Sequence, residues 1–187
     1  MPSRPEIASL LDLSLMADFP PQYGPEEIRR TNPQRDAMEQ LSGVLAMDVP
    51  SGWAVGYKDL SAQDFWCPNE PRTLSPGCVE TAAQLAVFFL KRSDLFPNVS
   101  MFGIGGLGNL RFFNSISSPC RLVVAVRTID IDPPCAARME FFAEVNAQPV
   151  YSGDLLCVPL DCAAAQRKGL RAGTSRPEPK ELIGSGL

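Results

Sequence analysis

The chain has 187 residues and a formal net charge of −4, and 45% of its residues are hydrophobic. This length predicts one domain with tails, and the apolar content is enough for a core without disulfides or a structural metal. The acidic balance argues against a nucleic-acid-binding surface. No apolar run approaches the roughly 20 residues that a membrane-spanning helix needs.

The sequence contains six cysteines and no histidine. No two cysteines have the spacing of a zinc motif, so we expect neither a metal site nor a cofactor held by these residues. The first 16 residues do not resemble a secretory signal, because Asp12 interrupts their apolar positions. We therefore expect a cytoplasmic protein with free, mostly buried thiols.

The N-terminal half divides into an arm, a hairpin and a loop. Residues 1–31 are rich in proline and are interpreted as an N-terminal arm, with a short helix possible at 7–16. Two apolar stretches, 41–48 and 53–60, flank the turn residues Pro50 and Gly52, which predicts a β-hairpin. Residues 61–76 lack periodicity and are interpreted as a loop.

Residues 77–92 form the one convincing helical pattern. Apolar side chains recur there at helical spacing. Pro76 is compatible with a helix start, and Lys91 and Arg92 suit its C-terminal end. The pattern predicts a long, mostly apolar helix against which another element packs closely.

After this helix only strand-like segments follow. They are 99–104, 110–116, 121–131, 139–146 and 150–158, with the glycines at 105, 106 and 108 interpreted as the turn between the first two. Two strands, one helix and five strands predict an α+β fold. The polar residues 163–187 are predicted to form a disordered C-terminal tail.

Several short motifs follow one another in an order that resembles a known family. They are Asn32-Pro33-Gln34-Arg35, Phe65-Trp66, Pro76-Gly77, Glu80 with Gln84, and the Gly-containing turn before Arg111-Phe112. This order resembles the bacterial (3R)-hydroxyacyl-acyl-carrier-protein dehydratases. The resemblance implies a single hot-dog domain over residues 32–162, in which a curved antiparallel sheet wraps around one long central helix.

The same resemblance assigns residues to the chemistry. Dehydration of a 3-hydroxyacyl thioester needs a base, an acid and a group that polarises the carbonyl. The resemblance implies that Glu80 is the catalytic carboxylate, that Gly77 polarises the thioester carbonyl, and that Gln84 lies beside them in the substrate-binding site. Without the resemblance, Glu80 would be read as a first-turn carboxylate that complements the helix dipole.

The chain departs from the family where the catalytic histidine is expected. Residues 67–72 stand in place of the histidine-containing loop, and Asn69 lies nearest the histidine position. An amide cannot accept a proton at neutral pH. Glu70 could instead supply a second carboxylate, Cys67 could act as a base at the substrate through a stabilised thiolate, or Glu80 could work alone through water at a reduced rate. The alternatives are an exposed loop charge for Glu70 and a small buried side chain for Cys67.

Three functions therefore remain open. The first is a dehydratase-like lyase that acts on 3-hydroxyacyl thioesters of acyl carrier protein in fatty-acid or related lipid synthesis. The second is an impaired homologue that binds an acyl chain or pairs with a histidine-bearing partner, and the third is a thioesterase-like hydrolase. The resemblance also implies a homodimer or a trimer of dimers.

Overall fold

The computed structural model describes residues 7–64 and 77–161. Three short helices come first: α1 (Ile7–Leu10), α2 (Leu13–Met16) and α3 (Pro25–Thr31), with a 3-10 turn at Asp36–Met38. The remaining elements are β1 (Gly43–Asp48), β2 (Trp53–Leu60), α4 (Gly77–Arg92), β3 (Phe102–Phe112), β4 (Cys120–Asp132), β5 (Ala136–Val145) and β6 (Gln148–Pro159).

The six strands form one antiparallel sheet in the order β1-β2-β4-β5-β6-β3. Helix α4 packs against one face of this sheet, mainly on β2 and β4. We call this the inner face, and the opposite one the outer face. The α+β arrangement and the helix at residues 77–92 agree with the sequence prediction.

Helix α4 is enclosed on all sides, since every residue from 81 to 90 is buried. Leu85, Phe88 and Phe89 belong to the main core, and Tyr23 from the N-terminal region packs against Phe88 in a tilted arrangement with ring centroids 5.3 Å apart. A helix that is apolar all round is stable only when it is covered on every face. The sheet covers one side of α4, and α3 packs on another.

Strand β4 is apolar toward both faces of the sheet. Leu122, Val124 and Val126 belong to the core around α4, whereas Val123 and Ala125 belong to a second apolar cluster on the outer face. A continuous apolar run is typical of a strand that is buried on both sides. The cover on the outer face comes from residues at the N-terminus, where two four-residue helices replace the single short helix expected at 7–16.

The prediction of two strands between residues 99 and 116 is wrong. One strand, β3, runs through all three glycines and pairs with β6, with register shifts between Ile104 and Gly106 and between Gly108 and Arg111. A Cβ atom at Gly105 would meet Val158 Cγ1 at 3.0 Å, so the missing side chain permits close approach there. Glycine lowers strand propensity locally, but pairing along β6 overrides that preference. Arg111 therefore ends a strand rather than starting one.

Candidate functional site

An apolar cleft opens between the first turns of α4 and the edge strand β3. Its volume is about 420 Å³, and its walls are Val79, Glu80, Ala83, Ile104, Leu107, Leu110, Phe112 and Leu155. Glu80 is the one titratable side chain among these lining residues. Clefts with apolar walls and a single polar group that fixes orientation are typical of small-molecule sites.

The side-chain amide of Gln84 holds the carboxylate of Glu80. Gln84 Nε2 donates to Glu80 Oε1 at 2.9 Å and to the backbone oxygen of Met38 at 2.7 Å. Gln84 Oε1 accepts from the backbone N–H of Gln40 at 2.9 Å. Because both ends of a buried amide are engaged, its orientation is fixed. One oxygen of Glu80 is therefore held in place at the wall of the cleft.

The segment from residue 31 to 40 lies along α4 and supplies these backbone partners. Asn32 Nδ2 donates to the backbone oxygen of Gln84 at 2.9 Å, and Lys91 Nζ donates to the backbone oxygen of Thr31 at 2.8 Å. Burial lowers the pKa of Lys91. The segment that contains the Asn32-Pro33-Gln34-Arg35 motif is thus fastened to the helix that carries Glu80.

Three buried polar atoms near this segment and this helix have no hydrogen-bond partner within the described ranges. They are Asn32 Oδ1, Gln34 Oε1 and Thr81 Oγ1. Buried polar atoms are almost always paired, with protein or with ordered water. These atoms are therefore candidates to bind water or the polar part of a ligand.

The structure brings three of the predicted site residues together on one helix. Gly77 is the first residue of α4, Glu80 lies in its first turn, and Gln84 lies one turn further. The contacts of Gln84 run to protein groups, which favours a role in positioning Glu80 over the predicted contact with substrate. Cys67, Asn69 and Glu70 lie outside the described residues, as does Phe65-Trp66, so their roles stay predictions.

Met38 and Gln40 were missed by the sequence analysis. Each contributes a backbone group rather than a side chain to the site. They lie 46 and 44 residues from Gln84 in a segment without periodicity. The nearby Asn32-Pro33-Gln34-Arg35 motif was the one signal that pointed to this part of the chain.

Comparison with known proteins finds similarity in three-dimensional structure but not in sequence. No protein-family model and no curated protein matches the sequence. Among solved structures, the dehydratase heterocomplex ApeI:P from Xenorhabdus doucetiae is similar with a TM-score of 0.61 and 11% identity, covering 75% of this chain and 95% of that one. The fold is the hot-dog fold.

Two further structures are similar. Cj0977, a sigma28-regulated virulence protein from Campylobacter jejuni, has a TM-score of 0.55 and 12% identity, covering 75% of this chain and 94% of its own. A hypothetical thioesterase with coenzyme A from Streptococcus pneumoniae has a TM-score of 0.54 and 7% identity, with coverages of 71% and 94%. At such identities the likeness concerns the fold, and it includes proteins named for two different reactions.

Other predicted features can be compared with the described part of the chain. No helix there is long and apolar enough to cross a membrane, and no group of three or more acidic or cysteine side chains could hold a metal ion. Of the three cysteines whose side chains the structure describes, Cys157 is buried, Cys120 is half-buried and Cys135 is exposed, so the expectation of mostly buried thiols is wrong for these three.

Proposed function

We propose that this protein acts on 3-hydroxyacyl thioesters carried by acyl carrier protein, and removes water to give the trans-2-enoyl thioester. The observation that carries the proposal is the carboxylate of Glu80, held by Gln84 in the first turn of α4 at the wall of an apolar cleft. The similarity of the fold to a dehydratase supports it.

The chemistry places the thioester carbonyl at the N-terminus of α4. The first backbone N–H groups of a helix have no partner within the helix, and the helix dipole favours negative charge there. Gly77 lacks a side chain, so a carbonyl oxygen can approach this end closely. Negative charge that develops on that oxygen is stabilised as the C2–H bond breaks.

Proton transfer then falls to Glu80. Its carboxylate removes the C2 proton, the C3–O bond breaks, and the hydroxyl leaves as water after it gains a proton. Glu70 or Cys67 is the predicted second proton carrier for that last transfer. Gln84 keeps the Glu80 carboxylate oriented through both steps.

Thioester hydrolysis is a second candidate, and one observation favours it. Among the described residues that line the cleft, Glu80 is the one titratable group. Hydrolysis can proceed with a single carboxylate that orients and deprotonates a water, whereas dehydration needs both an acid and a base. The water oxygen would bond to the carbonyl carbon as its proton passes to Glu80, and the C–S bond would then break as the sulfur takes that proton and leaves as the thiol. A third candidate is a catalytically impaired chain that binds the acyl group, because the family histidine is missing.

We further propose that a second copy of the chain closes the cleft along β3. This strand lies at the end of the sheet and presents large apolar side chains to solvent, with Leu107 53% and Phe112 49% exposed. A long apolar sheet edge is a template for pairing with another chain. Pairing there would build a homodimer, which could assemble further into a trimer of dimers.

The test follows enoyl absorbance and thiol release in the same sample, with 3-hydroxybutyryl and crotonyl thioesters of acyl carrier protein and of coenzyme A. Glu80→Gln is compared with Glu26→Gln, an exposed carboxylate on α3. We expect Glu80→Gln to lose about 100- to 10,000-fold in enoyl formation, and Glu26→Gln to lose none. Glu80-dependent thiol release without enoyl formation would establish hydrolysis instead. Neither product, from folded protein that still binds the acyl thioester, would contradict catalysis and leave the binding role.

A further inference from the structure

The inner face of β3 is a strip of large apolar side chains. Three of its residues, Ile104, Leu107 and Phe112, stand directly opposite core residues of β6. Directly opposed residues of paired strands lie on the same face of a sheet. From 103 to 108, all positions other than 104 and 107 are glycine, so this part of β3 presents side chains to the inner face alone. The strand therefore forms one long apolar wall of the cleft beside Glu80.

Helix α4 supplies the facing wall of the cleft through Val79, Glu80 and Ala83. Residues three or four apart are neighbours on a helix surface, with about 5–6 Å between their Cβ atoms. Ala83 is thus beside Glu80, one turn further from the start of the helix. Val87 follows one more turn along the same side and is packed into the core. Ala83 is the smallest side chain of the walls, and it bounds the cleft where the cleft continues past Glu80 toward Val87.

The polarity of the walls limits what the cleft can hold. Apart from the carboxylate of Glu80, the described lining residues offer no hydrogen-bonding side chain. A hydroxyl or a charge buried there would lose its water without gaining a partner, whereas hydrocarbon gains free energy from the same transfer. The volume of about 420 Å³ lies within the roughly 300–1,000 Å³ that is typical of sites for whole small molecules. The cleft therefore suits a hydrocarbon chain rather than a polar or a very short acyl group.

The proposed chemistry sets the direction in which an acyl chain runs along this cleft. With the thioester carbonyl at Gly77 and C2 at the Glu80 carboxylate, the carbons beyond C3 continue along α4 past Ala83. About 10 Å of helix separates Glu80 from Val87, at roughly 1.5 Å per residue. This length accommodates several further carbons before the packed core closes the cleft.

We propose that the cleft selects thioesters with an unsubstituted hydrocarbon chain of medium length, and that Ala83 determines how far this chain extends beyond C3. The inference rests on the proposed function, because the position of the thioester is taken from it. Ala83 acts on specificity through shape, since a larger side chain there would occupy the volume that the chain needs. Each methylene that is buried against the walls should tighten binding by about two- to fourfold.

The first test measures binding by the unmodified chain in the absence of any reaction. Alkyl thioethers of coenzyme A, from butyl to tetradecyl, contain no thioester bond, so neither dehydration nor hydrolysis consumes them. Titration calorimetry should show Kd falling about two- to fourfold per methylene up to about ten carbons and changing little beyond, because the cleft ends at Val87. A decyl chain with a hydroxyl at its sixth carbon should bind at least about tenfold more weakly than decyl itself. A Kd that is independent of chain length, or equal for the two decyl compounds, would contradict the proposal.

The second test changes the depth of the cleft. Ala83→Leu should reduce the preference for decyl over butyl, measured as the ratio of the two Kd values, at least about tenfold, because the added carbons take the space of about three methylenes. Ala86→Leu, the same change at a core residue of the same helix, should leave this ratio unaltered. A loss of folded protein or of assembly weakens the binding of all chain lengths alike, so the ratio reports on the shape of the cleft.

The outcomes separate this inference from the proposed function. Ala83→Val adds less volume, and it should move the ratio in the same direction if Ala83→Leu does not fold. A folded Ala83 variant with an unchanged ratio, or an equal fall in Ala86→Leu, would overturn the role of Ala83 even where the thioester assay shows turnover. Length-dependent binding that Ala83→Leu shortens, without turnover of any thioester, would instead contradict the proposed catalysis and support the selectivity of the cleft.

Discussion

The two edge strands of the sheet, β1 and β3, differ in whether another part of the chain pairs with them. At the β1 edge, the backbone of Tyr23 pairs with Val44 in both directions, at 3.1 and 2.9 Å, and closes a six-residue strand. At the β3 edge, an eleven-residue strand continues the sheet with Leu107, Leu110 and Phe112 exposed. Within the described residues, the chain itself pairs with the β1 edge, while the β3 edge has no further strand beside it.

The difference explains where the candidate site lies. A protein that covers one apolar edge but leaves another, longer edge exposed risks aggregation unless that edge has a partner. The cleft beside Glu80 opens along the exposed edge, and its walls include the same apolar side chains of β3. We therefore infer that assembly along β3 and completion of the site are one event.

The largest expected effect comes from charging the open edge. Leu107→Asp with Leu110→Asp should raise the dimer dissociation constant at least about 1000-fold, equivalent to about 4 kcal/mol, and should abolish turnover. Analytical ultracentrifugation measures the first and the thioester assay the second. Val49→Asp, at an exposed apolar position in the β1–β2 turn, is the control and should stay dimeric. A dimer that survives the β3 charges would show that the open edge is not the interface.

A smaller effect is expected from Gln84, which joins the site to the segment at residues 31–40. Gln84→Leu keeps the approximate volume but leaves the backbone groups of Met38 and Gln40 without their buried partner. The free energy of unfolding should fall by about 3 kcal/mol, and turnover should fall because Glu80 is no longer held. Urea denaturation measures the first effect. A stable variant with full activity would show that the amide does not position Glu80.

At the closed edge, Tyr23 is expected to contribute stability without affecting assembly. Its ring packs on Phe88, and Arg92 lies over it at 5.1 Å. Tyr23→Ala should lower the free energy of unfolding by about 2 kcal/mol at unchanged oligomeric mass. Tyr23→Phe is the control and should cost little, because the hydroxyl makes one long, exposed hydrogen bond. A change of oligomeric mass in Tyr23→Ala would show that the β1 edge also takes part in assembly.

The sequence predicted those parts of the fold that local pattern determines. The bounds of α4 followed from helical spacing, with Pro76 before it and Lys91-Arg92 at its end. The hairpin of β1 and β2 followed from Pro50 and Gly52 in the turn. The sequence analysis divided β3 into two strands because its glycines are read locally as a turn, whereas its pairing with β6, about 50 residues away, decides its structure.

Only the side chains of the candidate site could be predicted from the sequence; its backbone groups could not. Glu80 and Gln84 lie four residues apart, which puts them on one side of a helix. The backbone oxygen of Met38 and the backbone N–H of Gln40 have no sequence signature, and no local pattern places them beside Gln84. Burial of the outer face could be predicted from the sequence, because residues 122–126 form a continuous apolar run, which is typical of a strand that is buried on both sides.

The smallest expected effect concerns Cys157, on β6 beneath the open edge. Its partners across the sheet are Ile104 on β3 and Ala137 on β5, and burial raises the pKa of its thiol from 9.0 to about 12. Since the pKa is higher in the folded state, its contribution to stability is complete below pH 9 and is lost as the pH rises from 9 toward 12. At pH 10 the loss should be about 1.4 kcal/mol. Cys157→Ala should remove this part of the pH dependence, which denaturation at pH 8 and pH 10 under reducing conditions measures.

The same thiol reports on the open edge directly. Cys135 is exposed in the turn between β4 and β5, so iodoacetamide should modify it at once. Cys157 should react at least about 100-fold more slowly, because its thiol becomes accessible only when β3 separates from β6. If a second copy covers β3, a higher protein concentration should slow the labelling of Cys157 further and leave Cys135 unaffected. If the rate of Cys157 labelling does not depend on protein concentration, no second copy covers the β3 edge. The proposed assembly along β3 would then be wrong.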